Sequence, residues 1–188
     1  MAAPLDRDAI TQAGLDVLAE HGLDGLTVRR VADRLGVQAP ALYWHVKNKK
    51  ELIDEMSTEL WRRVIALTPS AGPSWEDTLR GFAAAMRSTL LGVRDGSRIF
   101  GGARSSDRSV YGSLGGRLAS MADDGFSPAD VRLAWIAVYL LVLGFCIEEQ
   151  EVRSNPDLYD DTFPPDTRAA DFEATFAGLL DTAIAGIR

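Results

Sequence analysis

Helix-length segments, with apolar residues at helical spacing and glycine or proline at their ends, constrain the fold of this chain more than any other feature. One such segment begins at Thr27 and stops at Gly36. Its apolar residues occupy positions i, i+3, i+4 and i+7 and therefore share one helix face: Val28, Val31, Ala32 and Leu35. No part of the sequence has the pattern of a β-sheet. The sequence therefore predicts an all-α protein.

Capping residues and helix breakers set the expected bounds of each helix. The predicted helices, with their caps, cover residues 6–21, 27–36, 39–45, 48–66, 74–92, 106–124, 127–153 and 168–187. The remaining stretches are predicted as a linker at 68–74, a loop at 154–166 and a glycine-rich loop with at most one helical turn at 94–106. Three short helices at the N-terminus are therefore followed by a larger helical bundle.

The longest uncharged run, Leu133 to Ile147, has 15 residues. A membrane helix needs about 20, so we expect this run to form a buried helix of a cytoplasmic protein. Asp6 and Asp8 interrupt any apolar start, which argues against a signal peptide. The single cysteine, Cys146, lies in the run and is interpreted as a buried thiol, with a reactive thiol as the alternative.

Charge is distributed unevenly along the chain, whose net charge is −7. Residues 26–50 hold six basic side chains and one acidic one, whereas residues 51–188 hold 13 basic and 21 acidic ones. A basic segment on an acidic body is expected of a small DNA-binding module. A solvated basic face would give the same count, so charge alone leaves both interpretations open.

The second and third predicted helices fit a helix-turn-helix. Ala32 is small enough to let the two helices approach, and Gly36 supplies the tight turn. Val37 and Leu42 then anchor the second helix of the motif to the core. Such a unit presents the exposed face of its second helix to the major groove of DNA.

The second helix of this motif lies in "QAPALYWHVKNKK", residues 38–50, where three aromatic rings are adjacent. Adjacent helical residues point in different directions, so these rings cannot all face one core. The outward side chains would offer hydrogen-bond donors (Tyr43, His45), apolar surface for thymine methyl groups (Pro40, Ala41, Trp44) and cations for bases or phosphates (Arg29, Lys49). The alternative is that the rings pack on the first helix and that His45 makes a local hydrogen bond.

These segments resemble the TetR family of bacterial transcriptional regulators, in particular the tetracycline repressors. The resemblance is strongest in "GLTVRRVADRLGVQAPALYWHVKNKKELID" (25–54), in which "LYWHVKNK" is a specific signal. It continues in "LLGVRDG" (90–96) and "DGFSPADVRLAWIAVYLLVLGFCIEEQE" (124–151) and covers about residues 5–152. The family implies a homodimer that binds a palindromic operator and leaves it when a small molecule binds.

The resemblance also implies a domain organisation and a set of DNA contacts. Residues 1–47 would form the helix-turn-helix domain, 48–67 a connecting helix and 68–188 the ligand-binding and dimerisation domain. The implied DNA-contacting residues are Thr27, Arg29, Pro40, Tyr43, Trp44, His45 and Lys49. Ala39 and Ala41 stand where tetracycline repressors have glutamine and threonine, and alanine cannot read an adenine edge, so we expect a different operator.

The implied drug pocket departs further from tetracycline repressors. Phe100 stands in place of their metal-binding histidine, Ala103 in place of a threonine and Arg117 in place of a glutamine, whereas Arg104 and Glu148 are retained. The expected pocket residues are Ile65, Phe82, Met86, Phe100, Ala103, Arg104, Leu114, Arg117, Trp135 and Tyr139. Because Mg²⁺ requires oxygen ligands, we expect no metal, no other cofactor and no tetracycline chelate. Arg104 and Arg117 would orient an acidic or carbonyl-bearing ligand, although several of the apolar residues would serve equally well as core.

The sequence thus predicts a ligand-responsive repressor that binds double-stranded operator DNA as a homodimer, without a membrane partner. The effector would be small and apolar or aromatic. One alternative is a small-molecule-binding or interaction protein of the same fold that no longer binds DNA. An enzyme has no support, because the two histidines, His21 and His45, and the serine, cysteine and acidic residues form no nucleophile–base spacing.

Overall fold

The structure of the chain is a computed structural model that describes residues 5–70, 74–105, 107, 109, 116–118, 120–155 and 171–187. All regular elements in these residues are helical. They are α1 (Arg7–Gly25), α2 (Val28–Leu35), α3 (Ala39–Leu42), α4 (Lys49–Leu67), α5 (Trp75–Leu91), α6 (Gly96–Gly102), a 3-10 turn (Gly116–Leu118), α7 (Ser120–Asp123), α8 (Pro128–Ser154) and α9 (Phe172–Ala185). The predicted all-α class is confirmed.

Local capping explains where the first two helices begin and end. The Asp6 carboxylate accepts a hydrogen bond from the Ala9 N–H at 2.8 Å and caps the start of α1. Gly22, directly after the predicted end of this helix at residue 21, has a φ of 68°, and the chain makes one further turn to Gly25. The Thr27 hydroxyl accepts the Arg30 N–H at 3.2 Å and starts α2, as predicted. Gly36, also at a φ of 68°, ends it in the left-handed conformation that glycine adopts without strain.

The third helix is shorter than predicted. It ends at Leu42, and residues 43–45 form a turn instead of continuing to His45. The start of α4 follows the sequence, because the Asn48 side chain accepts the Glu51 N–H at 2.9 Å. The Glu51 carboxylate in return accepts the Lys47 N–H at 2.7 Å, one residue earlier than in a standard capping box.

Two predictions for the middle of the chain were wrong. The glycine-rich stretch predicted as a loop contains α6, which is seven residues long. Gly96 allows this helix to start there, because a Cβ at its position would lie 2.4 Å from the Leu90 carbonyl oxygen. The continuous helix predicted over 106–124 is interrupted in its described part by the 3-10 turn and the one-turn α7.

Helix α8 is buried on one face only, which corrects the prediction of a buried helix. Its start is as predicted: Ser127 and Asp130 form a reciprocal capping box. Its buried residues recur at helical spacing: Ala134, Val138, Val142, Cys146 and Glu149. The opposite face carries exposed apolar side chains. By length and composition alone, α8 is the one helix among the described residues that would suffice to cross a membrane.

The chain divides into two compact units. The first consists of Met1–Val64 and Thr89–Tyr111, and the second of Ile65–Ser88 and Gly112–Arg188. Within the first unit α1 packs on α2 and α2 on α3, and within the second α8 packs on α9. The predicted domain boundaries after residues 47 and 67 concern the functions of the segments and stay a prediction.

Candidate functional site

The turn between α2 and α3 holds the third helix by backbone hydrogen bonds and one buried side chain. The N–H groups of Gly36 and Val37 donate to Asp33 and Ala32 carbonyl oxygens at 3.2 and 3.0 Å. Leu42 is fully buried and anchors α3 to the core of the first unit, as predicted from the sequence. The remaining surface of α3 is therefore free to face a partner.

The aromatic side chains that follow Leu42 face solvent. Trp44 is 90% exposed and Tyr43 is 52% exposed. Together with Pro40 they line an open recess of about 370 Å³ on the surface of the first unit. An exposed tryptophan gains nothing from the core, so the alternative that the rings pack on the first helix is wrong for Trp44.

The cations of the basic segment differ in how far they are already engaged. The Arg30 guanidinium donates to the Gly25 carbonyl at 2.9 Å, and that of Arg34 pairs with Glu20 at 2.6 Å. Lys50 pairs with Asp54 in its own helix at 2.9 Å. Arg29 lies on the exposed surface of α2, two residues after the predicted DNA contact Thr27.

Lys49, the predicted phosphate clamp, has a partner within the protein. Its Nζ atom donates to the Leu23 carbonyl oxygen at 2.8 Å. An ammonium group has three N–H donors, so this contact leaves two for a phosphate. The sequence offered no signal for this bond, because Leu23 precedes Lys49 by 26 residues and lies beyond the glycine turn of α1.

Three of the predicted pocket residues lie in the first unit, on α6 and directly after it. Phe100 is buried, and the centroid of its ring lies 4.4 Å from that of the Trp61 ring in α4. Ala103 ends α6. The backbone N–H of Arg104 donates to the Asp54 carboxylate at 3.0 Å, while its side chain is exposed.

The other predicted pocket residues belong to the second unit. The ring centroids of Phe82 and Trp135 lie 3.9 Å apart. Met86, one turn after Phe82 on α5, is buried. Ile65 and Tyr139 are half-buried. Leu114 lies outside the described residues. The role of these residues in binding a ligand stays a prediction.

Arg117 has a structural partner that the sequence did not suggest. Its guanidinium donates to the carbonyl oxygens of Ile65, Thr68 and Pro69, which end and follow α4. A cation at a helix C-terminus satisfies carbonyl groups that lack a partner inside the helix. Its role as a ligand-orienting residue stays a prediction.

The second unit contains a buried ion-pair network that was not predicted from the sequence. The Arg87 guanidinium donates to both Glu149 oxygens at 3.0 and 2.9 Å and to Glu173 of α9 at 2.7 Å. Burial by itself lowers the pKa of Arg87, but the two carboxylates outweigh it and raise this pKa above its ordinary value. An arginine inside the apolar stripe of α5 was the signal that could have revealed the network. The ion-pair network joins α5, α8 and α9.

Cys146 is fully buried in the same unit. Burial, with a smaller contribution from the negative charge of Glu149, raises the pKa of its thiol to about 12. The thiol is therefore neutral at physiological pH, which excludes the thiolate chemistry that a reactive cysteine requires.

Comparison with known proteins relates both parts of the chain to one family. Residues 10–56 match the model of bacterial regulatory proteins of the tetR family, and residues 68–177 match that of the tetracyclin repressor-like C-terminal domain. The chain is 37% identical over 196 residues to the class D tetracycline repressor of Escherichia coli, a match that covers 98% of this chain and 89% of the relative. The chain belongs to the TetR family.

Solved structures of TetR proteins share its fold. The TetR structure from Acinetobacter baumannii AYE superimposes with a TM-score of 0.83 at 32% identity, over 97% of this chain and 96% of that one. A class A TetR in complex with 5a,6-anhydrotetracycline and magnesium gives a TM-score of 0.78 at 31% identity, over 97% and 98%. The predicted combination of an N-terminal helix-turn-helix and a C-terminal helical domain is confirmed.

Membership of the TetR family decides the class of function. TetR regulators are soluble, non-enzymatic DNA-binding repressors that respond to ligands and form dimers. The chain is accordingly a ligand-responsive, DNA-binding transcriptional regulator and not an enzyme.

Proposed function

We propose that this TetR regulator binds a palindromic operator in the cytoplasm as a homodimer and is released by a small apolar or aromatic effector. The observation that carries the DNA-binding part is the exposure of Trp44 at 90% beside Tyr43, in the turn that directly follows the helix anchored by Leu42. A large aromatic side chain held in water is costly unless a partner covers it, and base edges or sugars supply such a surface.

The proposed DNA-contacting residues lie on the N-terminus of α2, on α3 and the turn after it, and in the first turn of α4. They are Thr27, Arg29, Ala39, Pro40, Ala41, Tyr43, Trp44, His45 and Lys49. Arg29 and Lys49 supply positive charge for bases or phosphates, and the recess at Pro40, Tyr43 and Trp44 supplies apolar surface for a thymine methyl group. Ala39 and Ala41 carry no polar group, so direct hydrogen bonding to bases is sparse on this helix.

Apolar side chains on the outer face of α8 and on α9 support the homodimer. The exposed large apolar residues of these two helices are Leu133, Ile136, Leu140, Ile147 and Leu179. A contiguous apolar surface on paired helices marks a protein interface, and a second copy of the chain presents the same surface. A palindromic operator follows, because a two-fold dimer presents two equivalent recognition helices.

The proposed effector differs from a magnesium–tetracycline chelate. Phe100 offers no oxygen or nitrogen ligand at the position where tetracycline repressors hold a metal-binding histidine, and its ring is buried against Trp61. The other proposed contacts are mainly apolar or aromatic: Ile65, Phe82, Met86, Ala103, Leu114, Trp135 and Tyr139, with Arg104 and Arg117 as polar ones. Such residues favour an apolar or aromatic ligand with one acidic or carbonyl group.

Operator selection and one substitution test the DNA-binding proposal. DNA bound by the protein is selected from a random pool, and its affinity is then measured for wild type, Trp44→Ala and Leu67→Ala. Leu67 is an exposed apolar control outside the proposed contacts. We expect Trp44→Ala to weaken binding by more than about tenfold without lowering the melting temperature, and Leu67→Ala to bind as wild type. Equal affinity of Trp44→Ala and wild type would overturn the proposal.

The selected operator also tests the proposed effector. Tetracycline with magnesium should leave the protein on this DNA at concentrations that release a tetracycline repressor from its own operator. Small aromatic carboxylates and ketones, screened in the same release assay, are the class in which we expect an inducer. Specific release by the magnesium chelate would refute the interpretation of Phe100.

A further inference from the structure

A second recess, here called the α1–α4 recess, lies on the surface of the first unit. Its volume is about 520 Å³, within the range of about 300–1,000 Å³ that is common for small-molecule sites. It lies outside both the proposed DNA contacts and the proposed effector pocket. The side chains that line it are all polar: Asp8, Thr11 and Gln12 of α1, and Glu59 and Arg62 of α4.

The two walls of the α1–α4 recess are held together by hydrogen bonds between the helices. The Arg7 guanidinium of α1 donates to the Glu55 carboxylate of α4. The Arg63 guanidinium of α4 donates to the Gln12 side-chain oxygen at 3.3 Å and to the Glu59 carboxylate at 3.0 Å. Gln12 and Glu59 therefore already have partners within the protein, and the walls are in place before any ligand binds.

The other three lining groups have unused hydrogen-bonding capacity. The Asp8 side chain forms no hydrogen bond or ion pair with any described residue. Thr11 is only 6% exposed, yet its hydroxyl has no hydrogen-bond partner in the described part of the chain, whereas a buried hydroxyl normally has one. The Arg62 guanidinium lies 3.9 Å from the Glu59 carboxylate and 3.8 Å from that of Asp107, both beyond hydrogen-bond distance.

We propose that the α1–α4 recess binds a small amino acid through its charged ammonium and carboxylate groups. The ligand's ammonium donates to the Asp8 carboxylate and to the Thr11 hydroxyl oxygen, which lie on one face of α1 because they are three residues apart. Its carboxylate accepts from the Arg62 guanidinium on the opposite wall. A zwitterion fits because one wall offers an unpaired anion and the other a cation without hydrogen bonds, and both contacts are charge-assisted. The remaining lining is polar, which favours an amino acid with a polar side chain.

A thermal-shift screen of the common L-amino acids at millimolar concentration tests the proposal on the wild-type protein. A ligand that binds only the folded state raises the melting temperature. We expect at least one amino acid with a polar side chain to do so, and Asp8→Asn to remove the rise. The absence of a rise with every amino acid would overturn the proposal. The screen contains no DNA, so its outcome does not depend on the proposed operator binding.

Two analogues of the amino acid that binds assign its two ends. Its amide lacks the carboxylate, and its N-acetyl derivative lacks the ammonium. In isothermal titration, wild type should bind each analogue at least about tenfold more weakly than the amino acid. Arg62→Met should lose the preference over the amide, and Asp8→Asn the preference over the N-acetyl derivative. A wild-type preference in either variant would refute the assigned contacts.

Three further variants separate a site from a general effect of charge. Asp24 of α1 and Arg132 of α8 are exposed, and their side chains form no hydrogen bond or ion pair with any described residue. Asp24→Asn and Arg132→Met should therefore bind the amino acid as wild type does. Thr11→Val keeps the shape of the side chain and should weaken binding about threefold without lowering the melting temperature. Control variants that weaken binding as much as Asp8→Asn and Arg62→Met would overturn the proposal.

Discussion

Two glycines with the same φ angle differ in ψ and in their surroundings, and these differences predict different sensitivities to substitution. Gly22 and Gly36 both have a φ of 68°. At Gly36 a Cβ would meet nothing within 4 Å, whereas at Gly22 it would contact the Arg94 and Asp95 side chains at 3.2 Å. Gly36 has a ψ of 25° and is in the left-handed helical region, whereas Gly22 has a ψ of 177° and is in a region that glycine almost alone adopts. Alanine therefore meets a larger backbone penalty at Gly22, and crowding adds to it.

Alanine substitutions measure this difference. We expect Gly36→Ala to lower the free energy of unfolding by about 1 kcal/mol, the cost of a left-handed alanine. Gly22→Ala should cost at least about 1 kcal/mol more, because its φ/ψ combination is essentially restricted to glycine and because Arg94 and Asp95 must shift. Denaturant unfolding gives both values. Equal losses would show that the chain around Gly22 relaxes to a conformation that alanine adopts without strain.

The buried thiol of Cys146 predicts a loss of stability at high pH. Its pKa of about 12 in the folded protein lies above the ordinary value of 9.0 for a thiol. The unfolded chain therefore loses the proton first, so the stability contributed by the neutral thiol is complete below about pH 9 and declines as the pH rises towards 12. Between pH 8 and pH 10.5 wild type should lose on the order of 2 kcal/mol more than Cys146→Ala in urea unfolding. Parallel losses would show that the thiol ionises in the folded state.

At the scale of residues, the sequence predicted contacts that are local and missed those that are not. Thr27 and Ser127 were assigned as helix caps because each bonds an N–H three residues later. The hydrogen-bond partners of Lys49, Arg117 and Arg87 lie between 26 and 86 residues away along the chain, and only the fold brings them together. Pattern and spacing carry no information about such pairs.

Among the helices, α4 ends at a cap that comes from another element. Arg117 in the 3-10 turn donates to three carbonyl groups at the end of α4 and just beyond it. Arg117→Met should lower the free energy of unfolding by about 1–2 kcal/mol, since these carbonyls lose a charged donor. The exposed Arg132 of α8 provides the control, and Arg132→Met should change stability by less than about 0.5 kcal/mol. An unchanged free energy of unfolding in Arg117→Met would show that water replaces the guanidinium at no cost.

The helices that were predicted correctly have strong signals at both ends or a long apolar stripe. Helices α2 and α8 have side-chain N-caps, and α2 ends at a glycine. Helix α6 was missed because its glycines disfavour a helix locally. Burial of Ile99 and Phe100 stabilises it nonetheless, and only the folded unit supplies that contribution. The prediction that α8 is buried failed because periodicity cannot tell a core from an interface.

The outer face of α8 predicts how the chain assembles. Leu140 is 57% exposed on this face, and Leu67 at the end of α4 is 59% exposed. If α8 pairs with a second copy, Leu140→Glu should yield monomers at micromolar concentration by light scattering, because it places a charge in an apolar interface. Leu67→Glu, matched in exposure, should remain dimeric. A wild-type monomer, or a dimer that tolerates Leu140→Glu, would contradict this assembly.

The exposure of Trp44 also gives the molecule an internal optical reporter. Of the four tryptophans, Trp61 and Trp75 are buried and Trp135 is half-buried, whereas Trp44 is almost fully exposed. Its emission should therefore lie furthest to the red and be the most accessible to a soluble quencher such as iodide. Operator DNA that covers α3 and the turn after it would shield this one fluorophore, so binding and ligand-induced release can be followed in real time on the unlabelled protein.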